Sequence, residues 1–379
     1  MKSISIIVPV INESSTLPYL LNDLVHQSIN NFELILVDGG STDNTLDLAE
    51  EWQKKDQNPF KIKLISSKPG RALQMNAGSN CASNDILCFL HCDSRLLVKS
   101  LLKDAIEKFT EQRHTQKSDM IAGHFPLFFI REEGYPKQPN QWSQSNLFWR
   151  FLESKTTMER RWSINGDQGL MISRNFFNQL GCYPDKLPFM EDQILGEKIW
   201  SKGQWILLPH RLHTSGRRFE QEGKFQLYIL MSIIMGMLFA GRHQFFTNAQ
   251  QIYRIQSETK RLNLRPFYHS ACASLLSGNT KQIFASLLQL GNFAKQNFWQ
   301  LWFLLDVFCG LNRPGRGGKW LTTYDNYIHR MIQGKWFDLF TALLIGSWFV
   351  IILWPCAMIR DIYELVIKRF NLIQKKGAN

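Results

Sequence analysis

Residues 86–95 read Ile-Leu-Cys-Phe-Leu-His-Cys-Asp-Ser-Arg, and this stretch decides the fold. Its apolar half, residues 86–90, has the composition of a buried strand, and the polar triplet His91-Cys92-Asp93 follows at once. In open α/β sheets, ligands bind beyond the carboxyl ends of the strands. A carboxylate there suits a divalent cation, but Asp93 could equally cap a following helix, predicted over residues 94–109. Motifs elsewhere in the chain are needed to distinguish these two interpretations.

Three similar strands precede this one, and each ends in polar residues. They are predicted over residues 4–10, 32–37 and 62–66, and their polar ends are Asn12-Glu13, Asp38-Gly-Gly-Ser41 and Gly70-Arg71. The intervening helices are predicted from near residue 15, over 42–52 with Asp43 in the first turn, and over 72–81. This alternation predicts an α/β fold with a doubly wound, mainly parallel sheet, whose strand ends converge on one edge. The glycine spacing supports neither a Rossmann dinucleotide site nor a P-loop.

Candidate functional residues continue through the next hundred positions, and each has an ordinary structural alternative. His124 lies in a strand-like run, residues 120–129, where a core role is the commoner one. Asp167 could contact a ligand or cap a turn. Asp192 stands before a helix predicted over 193–202, where a carboxylate is an ordinary N-cap. Arg217 and Arg218 form a cationic loop suited to a diphosphate, or else a solvated basic turn.

Charge is distributed unevenly along the 379 residues, whose net charge is +12. Residues 1–240 hold 27 Lys and Arg against 26 Asp and Glu, whereas residues 241–379 hold 17 against 6. The basic residues of the second part are interleaved with long apolar, Trp- and Phe-rich runs. This pattern favours an anionic membrane surface and not nucleic acid as the partner. The seven cysteines include no C-x-x-C pair, which indicates free thiols in a reducing compartment.

The C-terminal part divides into several apolar segments. Residues 225–241 predict a packed or interfacial helix, residues 298–311 an amphipathic surface or core helix, and residues 313–319 a basic glycine-rich loop. Residues 339–359 carry no formal charge and are long enough to span a bilayer, although a buried helix hairpin is the alternative. We therefore expect three regions: a catalytic domain over 1–223, a helical, basic region over 224–335, and a candidate transmembrane helix with a basic tail over 336–379. The absence of a signal-peptide pattern after Met1 predicts a cytosolic N-terminus.

Five motifs in a fixed order resemble those of the family 2 glycosyltransferases of GT-A fold. They are Ile7-Val-Pro-Val-Ile-Asn-Glu13, Leu36-Val-Asp-Gly-Gly-Ser-Thr-Asp-Asn-Thr45, Arg71-Ala-Leu-Gln-Met-Asn-Ala-Gly78, Phe89-Leu-His-Cys-Asp93 and Met190-Glu-Asp192. The third and fourth are similar to those of one subgroup, the selenodomain-associated or arsenosugar-type transferases. The resemblance covers roughly residues 3–240, so the hydrophobic C-terminal extension lies beyond it.

The resemblance implies a donor site and a metal site. The implied donor-binding residues are Pro9, Asn12, Glu13, Asp38, Gly40, Arg71 and Asn76. Asp93 would bind Mg²⁺ or Mn²⁺ on the diphosphate. His91 stands where the family usually has the first aspartate of Asp-x-Asp, which leaves fewer hard oxygen ligands for the ion.

The resemblance also implies the reaction. Asp192 would act as the base that deprotonates an acceptor hydroxyl, and Arg217 and Arg218 would help the diphosphate to leave. We therefore expect an inverting glycosyltransferase at the cytosolic membrane face, which uses a nucleotide-diphosphate sugar and a lipid-linked or small-molecule acceptor. A sugar nucleotidyltransferase and a non-catalytic membrane scaffold with a degenerate transferase domain are the alternatives.

Overall fold

The structure is a computed structural model of the chain, and it describes residues 3–55, 58–131, 146–257 and 262–347. The chain divides into two compact units. Unit 1 comprises Met1–Arg217 and Phe303–Trp320, and unit 2 comprises Arg218–Trp302 and Leu321–Asn379. Unit 1 is therefore discontinuous in sequence, whereas the sequence pattern had placed residues 303–320 in a separate helical region.

The strands described all lie in unit 1. They are β1 (Ile4–Val10), β2 (Phe32–Asp38), β3 (Lys61–Ser66), β4 (Ile86–Phe89), β5 (Ile121–His124), β6 (Leu127–Ile130), β7 (Leu170–Ser173), β8 (Gln204–Leu207) and β9 (Leu212–Ser215). The helices of the described part are α1 (Leu17–Val25), α2 (Thr45–Lys54), α3 (Arg71–Cys81), α4 (Leu101–Gln116), α5 (Leu147–Lys155), α6 (Arg174–Gln179), α7 (Glu191–Lys202), α8 (Arg217–Glu222), α9 (Lys224–Phe239), α10 (Gln244–Ser257), α11 (Leu264–Leu275), α12 (Thr280–Gln296), α13 (Trp299–Phe308), α14 (Lys319–Thr323), α15 (His329–Met331) and α16 (Lys335–Ser347). A 3-10 turn lies at Gly166–Gln168 and a π-helical turn at Tyr324–Ile328.

The main sheet of unit 1 is a mixed α/β sheet with strand order β3-β2-β1-β4-β7-β5-β8. The first four strands by sequence are parallel, which confirms the predicted doubly wound arrangement for this part. Strand β7 reverses direction and pairs antiparallel with both β4 and β5. A second sheet is formed by β6 and β9, which are parallel. The carboxyl ends of β1, β2 and β4 therefore meet at one edge, where the polar motifs follow.

The central strands are buried on both faces, as their continuous apolar sequences require. Helix α1 buries four leucines at helical spacing, Leu17, Leu20, Leu21 and Leu24. Helix α3 lies close to β1 and β2 because it carries a glycine at the contact. A Cβ atom added at Gly78 would lie 2.4 Å from Ile7 Cγ2 and 3.0 Å from Val37 Cγ2. Gly78 thus sets the distance between α3 and the sheet.

The predicted helix over residues 94–109 is wrong at its start, because α4 begins only at Leu101. Arg95 instead forms a β-bridge with His213. Its guanidinium also binds the Asp23 carboxylate, with Nε–Oδ2 and Nη2–Oδ1 distances of 2.6 and 3.0 Å. These long-range contacts hold the backbone after Asp93 extended, so Asp93 does not cap a helix.

Two other predicted elements differ from the structure. Helix α2 begins at Thr45 and not at residue 42, so Asp43 precedes the helix instead of lying in its first turn. The strand expected over residues 120–129 is two strands, β5 and β6, which belong to different sheets. Pro126 lies between them and lacks the N–H that a continuous ladder needs.

Unit 2 is helical in its described part. Helices α9 and α12 pack through stacked rings of Phe239 and Phe293, whose centroids are 4.9 Å apart. Helix α16 packs on α12, where Lys295 forms an ion pair with Asp338. Within the described ranges, no helix is both long and apolar enough to cross a membrane. The candidate transmembrane helix over 339–359 is described only as far as Ser347, and residues 348–359 lie outside the described part.

Candidate active site

The loops after β1 and β2 are joined through Asn12. Its side-chain Oδ1 accepts a hydrogen bond from the Thr42 N–H at 2.8 Å, and its own N–H donates to Ser41 Oγ at 3.0 Å. Asn12 adopts a left-handed backbone conformation, φ +55°, which asparagine tolerates better than most residues. Two predicted donor-binding loops are thereby held at one place.

Asp38 organises the turn that follows β2. Its buried carboxylate accepts hydrogen bonds from the N–H groups of Gly40 at 2.8 Å and Ser41 at 3.1 Å. Gly40 has a φ of +97°, which a side chain would strain. Asp38 and Gly40 therefore act together to shape the loop that the sequence assigned to the nucleotide, and Pro9 lies beside them at the end of β1, paired with Val37.

Glu13 and Asp43 connect the start of α1 with the start of α2. The Glu13 N–H donates to Thr45 Oγ1 at 2.7 Å, and the Asp43 carboxylate accepts from Ser14 N–H at 3.2 Å. Burial raises the pKa of Glu13 above its ordinary value, although the Thr16 hydroxyl donates to its carboxylate. By contrast, hydrogen bonds from Ser14 and Thr45 lower the pKa of Asp43 to about 2.

Gln74 is a central residue of this edge that the sequence interpretation missed. Its side chain is buried, and its Nε2 donates to the carbonyls of Val10 at 2.9 Å and Val37 at 2.8 Å. One amide thus ties the last carbonyls of β1 and β2 together. Gly39 lies so close that an added Cβ would be 2.9 Å from the Gln74 amide. In the sequence, Gln74 stands one helical turn into the predicted helix, where a glutamine is usually an exposed surface residue.

The polar triplet after β4 lies next to the 3-10 turn at Gly166–Gln168. His91 Nδ1 is 3.1 Å from Asp167 Oδ1, and Thr214 Oγ1 donates to Asp93 Oδ2 at 3.4 Å. Asp167, for which the sequence left two roles open, is therefore the partner of His91. Thr214 in β9 was not predicted at all, because nothing in the sequence shows that β9 ends beside β4.

The chemistry of this donor set fits a divalent cation that is shared with a ligand. Mg²⁺ and related ions are commonly held by one or two carboxylates together with substrate phosphates and water. Asp93 and Asp167 supply carboxylates, and the contact with Asp167 at Nδ1 leaves the His91 Nε2 as the ring nitrogen for an ion. Among the described residues, no three His, Cys, Asp or Glu side chains converge on one point. An ion here would need oxygen ligands from the bound molecule.

Asp192 and Glu191 begin helix α7, and their two carboxylates have different environments. The Asp192 Oδ2 accepts from the Gly166 N–H at 2.7 Å and from Gln193 Nε2 at 3.3 Å. Glu191 is buried, and burial together with the neighbouring Asp192 charge raises the pKa of Glu191. Asp192 is thus fixed through one oxygen by the same turn that carries Asp167.

Arg71 brings positive charge to this carboxylate cluster. Its Nε is 3.5 Å from Glu191 Oε1, and its side chain is 49% exposed. Burial of the guanidinium would lower the pKa of Arg71, but the surrounding carboxylates outweigh this effect and raise it; they are Glu191, Asp167, Asp192 and Asp93. The residues predicted for the metal, the base and the diphosphate are therefore neighbours in space.

Arg71, Glu191 and Asp192 line one cleft in unit 1, whereas Asp93 and Asp167 are not among its lining residues. Its lining includes Arg71, Met75, Phe89, His91, Ile164, Asn165, Gly166, Gly169, Leu170, Tyr183, Glu191, Asp192, Leu195, Gly196, Ile199 and Trp205. Asn76, predicted to bind the donor, is not in this lining. Its amide makes a reciprocal pair of hydrogen bonds with the backbone of Tyr183, at 2.9 and 3.0 Å. Asn76 thus positions the aromatic wall of the cleft.

The remaining predicted residues fall at different places. Arg217 is exposed at the end of unit 1, and its charge partly opposes the burial that raises the pKa of Glu13, so it lies on the side of the β1 loop. Arg218 belongs to unit 2, where its Nη2 donates to the Tyr253 hydroxyl at 2.7 Å and its Nε is 3.3 Å from Glu222 Oε1. His124 is fully buried, with its Nδ1 3.0 Å from Gln168 Oε1, which makes it a core residue as the commoner interpretation predicted.

Polar residues such as Asn12, Asp38 and Asp93 at the strand ends of an α/β sheet mark the edge where open sheets of this kind bind their ligands. Residues 5–179 match the family described as Glycosyl transferase family 2. Residues 5–179 therefore have the sequence pattern of a family 2 glycosyltransferase domain, as the motifs indicated.

Individual relatives show how far the likeness extends. A PGL/p-HBAD biosynthesis glycosyltransferase of Mycobacterium tuberculosis is 38% identical over 119 residues, which are 31% of this chain and 45% of the relative. A poly(ribitol-phosphate) beta-glucosyltransferase of Bacillus spizizenii is 29% identical over 205 residues, 54% of this chain and 30% of the relative. The chain thus spans less than half the length of these curated relatives. Among solved structures, the mannosyltransferase PcManGT of Pyrobaculum calidifontis, in complex with GDP-Man and Mn²⁺, aligns with a TM-score of 0.45 and 15% identity, covering 91% of this chain and 87% of that one.

Proposed function

We propose that this protein transfers a sugar from a nucleotide-diphosphate donor to a hydroxyl acceptor, with inversion at the anomeric carbon and with a divalent cation. The observation that carries the proposal is the cleft that Arg71, His91 and Asp192 line, with Asp93 two residues after His91. The loops joined by Asn12 and Asp38 lie at the same sheet edge and form the nucleotide side of the site.

Asp192 is the general base in this proposal. Its Oδ2 is held by the Gly166 N–H, while its Oδ1 has no hydrogen-bond partner in the described part of the chain. The acceptor oxygen attacks the anomeric carbon, the bond from that carbon to the diphosphate breaks, and the hydroxyl proton passes to Asp192. A single displacement of this kind inverts the configuration.

The leaving diphosphate is stabilised by positive charge. Asp93, with His91 and Asp167 beside it, would hold Mg²⁺ or Mn²⁺, which supplies a Lewis acid for the phosphate oxygens. Arg71 offers a guanidinium from the α3 side, and Arg217 one from the side of the β1 loop. The motif resemblance implies that Arg218 also helps the diphosphate to leave, and we include this role in the proposal.

The proposal extends to location and acceptor. The basic, aromatic-rich composition of residues 241–379 supports association with an anionic membrane. Unit 1, which holds the site and is here called the catalytic unit, would lie on the cytoplasmic side. A lipid-linked acceptor follows from that location. The motifs that resemble the arsenosugar-type subgroup favour a small soluble acceptor instead. We propose that the chain is a member of that subgroup.

Donor binding tests the proposal directly. Purified protein is titrated with UDP-, GDP-, dTDP- and CMP-sugars, with and without Mn²⁺, and we expect tight binding of one donor only when Mn²⁺ is present. Asp93→Asn should abolish the effect of Mn²⁺, whereas Asp47→Asn, an equal charge change on the exposed face of α2, should leave it intact. Folded protein that binds none of these donors contradicts the proposal, and pyrophosphate release from a nucleoside triphosphate would indicate a nucleotidyltransferase.

A further inference from the structure

Helix α13 exposes an apolar face that the transfer reaction does not use. Phe303 and Val307 are fully buried, but Leu305 is 42% and Phe308 67% exposed, and Leu311 just beyond the helix is 40% exposed. A helix that is apolar on both faces is normally enclosed on both. The inner face of α13 is buried in the protein, so the exposed face would be stabilised by contact with another apolar environment.

Contacts on the inner side fix the direction in which this face points. The rings of Phe151 and Phe303 lie 6.1 Å apart, and Arg150 donates a hydrogen bond to the Val307 carbonyl. All of these residues belong to unit 1. The apolar face is thus attached firmly to the catalytic unit, and it cannot turn inward without breaking these contacts.

A turn with two arginines follows the apolar face directly. Arg313 and Arg316 form a β-bridge, with N···O distances of 3.0 and 2.9 Å. Pro314 and Gly315 are the second and third residues of this four-residue turn. The third residue of such a turn needs a positive φ, and Gly315 has a φ of +71°. Like charges placed directly opposite each other destabilise a strand pair. An anion that binds both guanidinium groups would remove this repulsion.

Partly buried hydrogen bonds hold the turn in place from both ends. Asn312 donates to Ser154 Oγ at 3.0 Å, and the Gly315 N–H donates to Thr157 Oγ1 at 3.1 Å. Beyond the turn, the fully buried Asp306 accepts from the Gly318 N–H at 2.8 Å. The position of the two arginines is therefore set before any ligand arrives.

We propose that Leu305, Phe308, Leu311, Arg313 and Arg316, here called the 305–316 surface, dock the catalytic unit on a bilayer of anionic phospholipid. The apolar side chains would enter the boundary between headgroups and acyl chains, and the arginines would bind lipid phosphates. The basic charge next to exposed apolar groups fits a lipid surface better than a protein partner. This inference rests on the membrane location in the proposed function, and it names the surface responsible.

Vesicle binding tests the inference on the full-length protein. Co-sedimentation is measured with phosphatidylglycerol and with phosphatidylcholine vesicles, and we expect binding to the anionic vesicles that weakens in 0.5 M salt. Arg313→Gln/Arg316→Gln should lower partitioning roughly 30-fold, since each basic residue near an anionic surface contributes about fivefold. Phe308→Ser/Leu311→Ser should lower it at least about tenfold. The control Lys186→Gln/Lys202→Gln removes the same charge from exposed positions of unit 1 and should change little.

Cys309 allows the position of the surface to be measured directly, because it is an exposed free thiol between Phe308 and Leu311. A polarity-sensitive fluorophore is attached to Cys309 in a protein whose other cysteines are serine, and to Cys81 in the matched protein. Addition of phosphatidylglycerol vesicles should shift the emission of the Cys309 label to the blue and leave that of the Cys81 label, also exposed, unchanged. No shift at Cys309, or binding that both double variants retain, overturns the inference.

Failure of the inference and failure of the proposed function give different results. Donor binding is measured on the same preparations without vesicles. Metal-dependent donor binding without vesicle binding refutes the 305–316 surface alone. Vesicle binding through this surface without binding of any donor refutes the glycosyltransfer proposal alone.

Discussion

Replacement of Gln74 by methionine should destabilise the nucleotide edge of the sheet while it preserves the volume of the side chain. The variant loses two hydrogen bonds, to the carbonyls of Val10 and Val37. Each is worth about 1 kcal/mol, and a buried carbonyl left short of a partner costs about 1–2 kcal/mol more. Val10 keeps a bond from the Gly39 N–H at 3.0 Å, and Val37 stays paired with both β1 and β3, so the penalty for an unpaired carbonyl is small. We expect a loss of about 1–3 kcal/mol in local stability.

Hydrogen exchange followed by mass spectrometry measures this loss where it occurs. Protection of amides in the peptides that cover β1 and β2 should fall by roughly 5- to 100-fold, because each 1.4 kcal/mol is about a factor of ten in the opening equilibrium. Donor affinity should fall as well, since Asn12 and Asp38 follow these strands. Gln53→Met is the matched control: Gln53 is exposed and donates a single bond, to the Ile62 carbonyl at 3.2 Å, so protection should hardly change. If Gln74→Met keeps wild-type protection in β1 and β2, the amide does not hold the strand ends together.

Three further perturbations give separate expectations. Asp192→Asn should lower kcat by roughly 10²- to 10⁴-fold with little change in donor affinity, because a base acts only in the transition state; near-normal turnover would remove Asp192 from that role. Gly78→Ala should lower the free energy of unfolding by about 1–3 kcal/mol through the clash with Ile7, whereas Gly196→Ala, with its nearest neighbour 3.9 Å away, should be neutral or slightly stabilising; equal effects in urea titrations would contradict this explanation. The folded-state pKa of Asp43 is depressed to about 2 from its ordinary 3.8, so its stabilising effect is present above pH 4 and is lost as the pH falls toward 2. Asp43→Asn should therefore be less stable than wild type at pH 6, and the difference should shrink between pH 4 and pH 2; a pH-independent difference would show that the charge is not responsible.

The strands, and the polar residues that follow them at one edge of the sheet, were predictable from local sequence. A short apolar run rich in β-branched residues, such as Ile4–Val10, favours a buried strand, and polar groups that follow parallel strands meet at one edge. This reasoning located Asn12, Asp38 and Asp93 without any tertiary information.

Features that depend on distant partners were not predictable in the same way. The extended backbone at Arg95 is set by Asp23 and His213, which lie 72 and more residues away in sequence. The pairing of His91 with Asp167, and of Asn76 with Tyr183, likewise requires knowledge of which loops meet. Asn76 is an example: its place in a motif suggested donor binding, and only the structure shows that its amide binds the backbone of Tyr183.

The return of Phe303–Trp320 to unit 1 has a consequence for synthesis on the ribosome. Ser154 and Thr157 receive their partners from Asn312 and Gly315, and these residues emerge only after all of Arg218–Trp302 has been made. The catalytic unit therefore cannot complete its packing as an N-terminal piece during translation. A fragment that stops at Arg217 would expose the surface that α13 covers, and stable expression of the catalytic unit requires the chain to continue through Trp320.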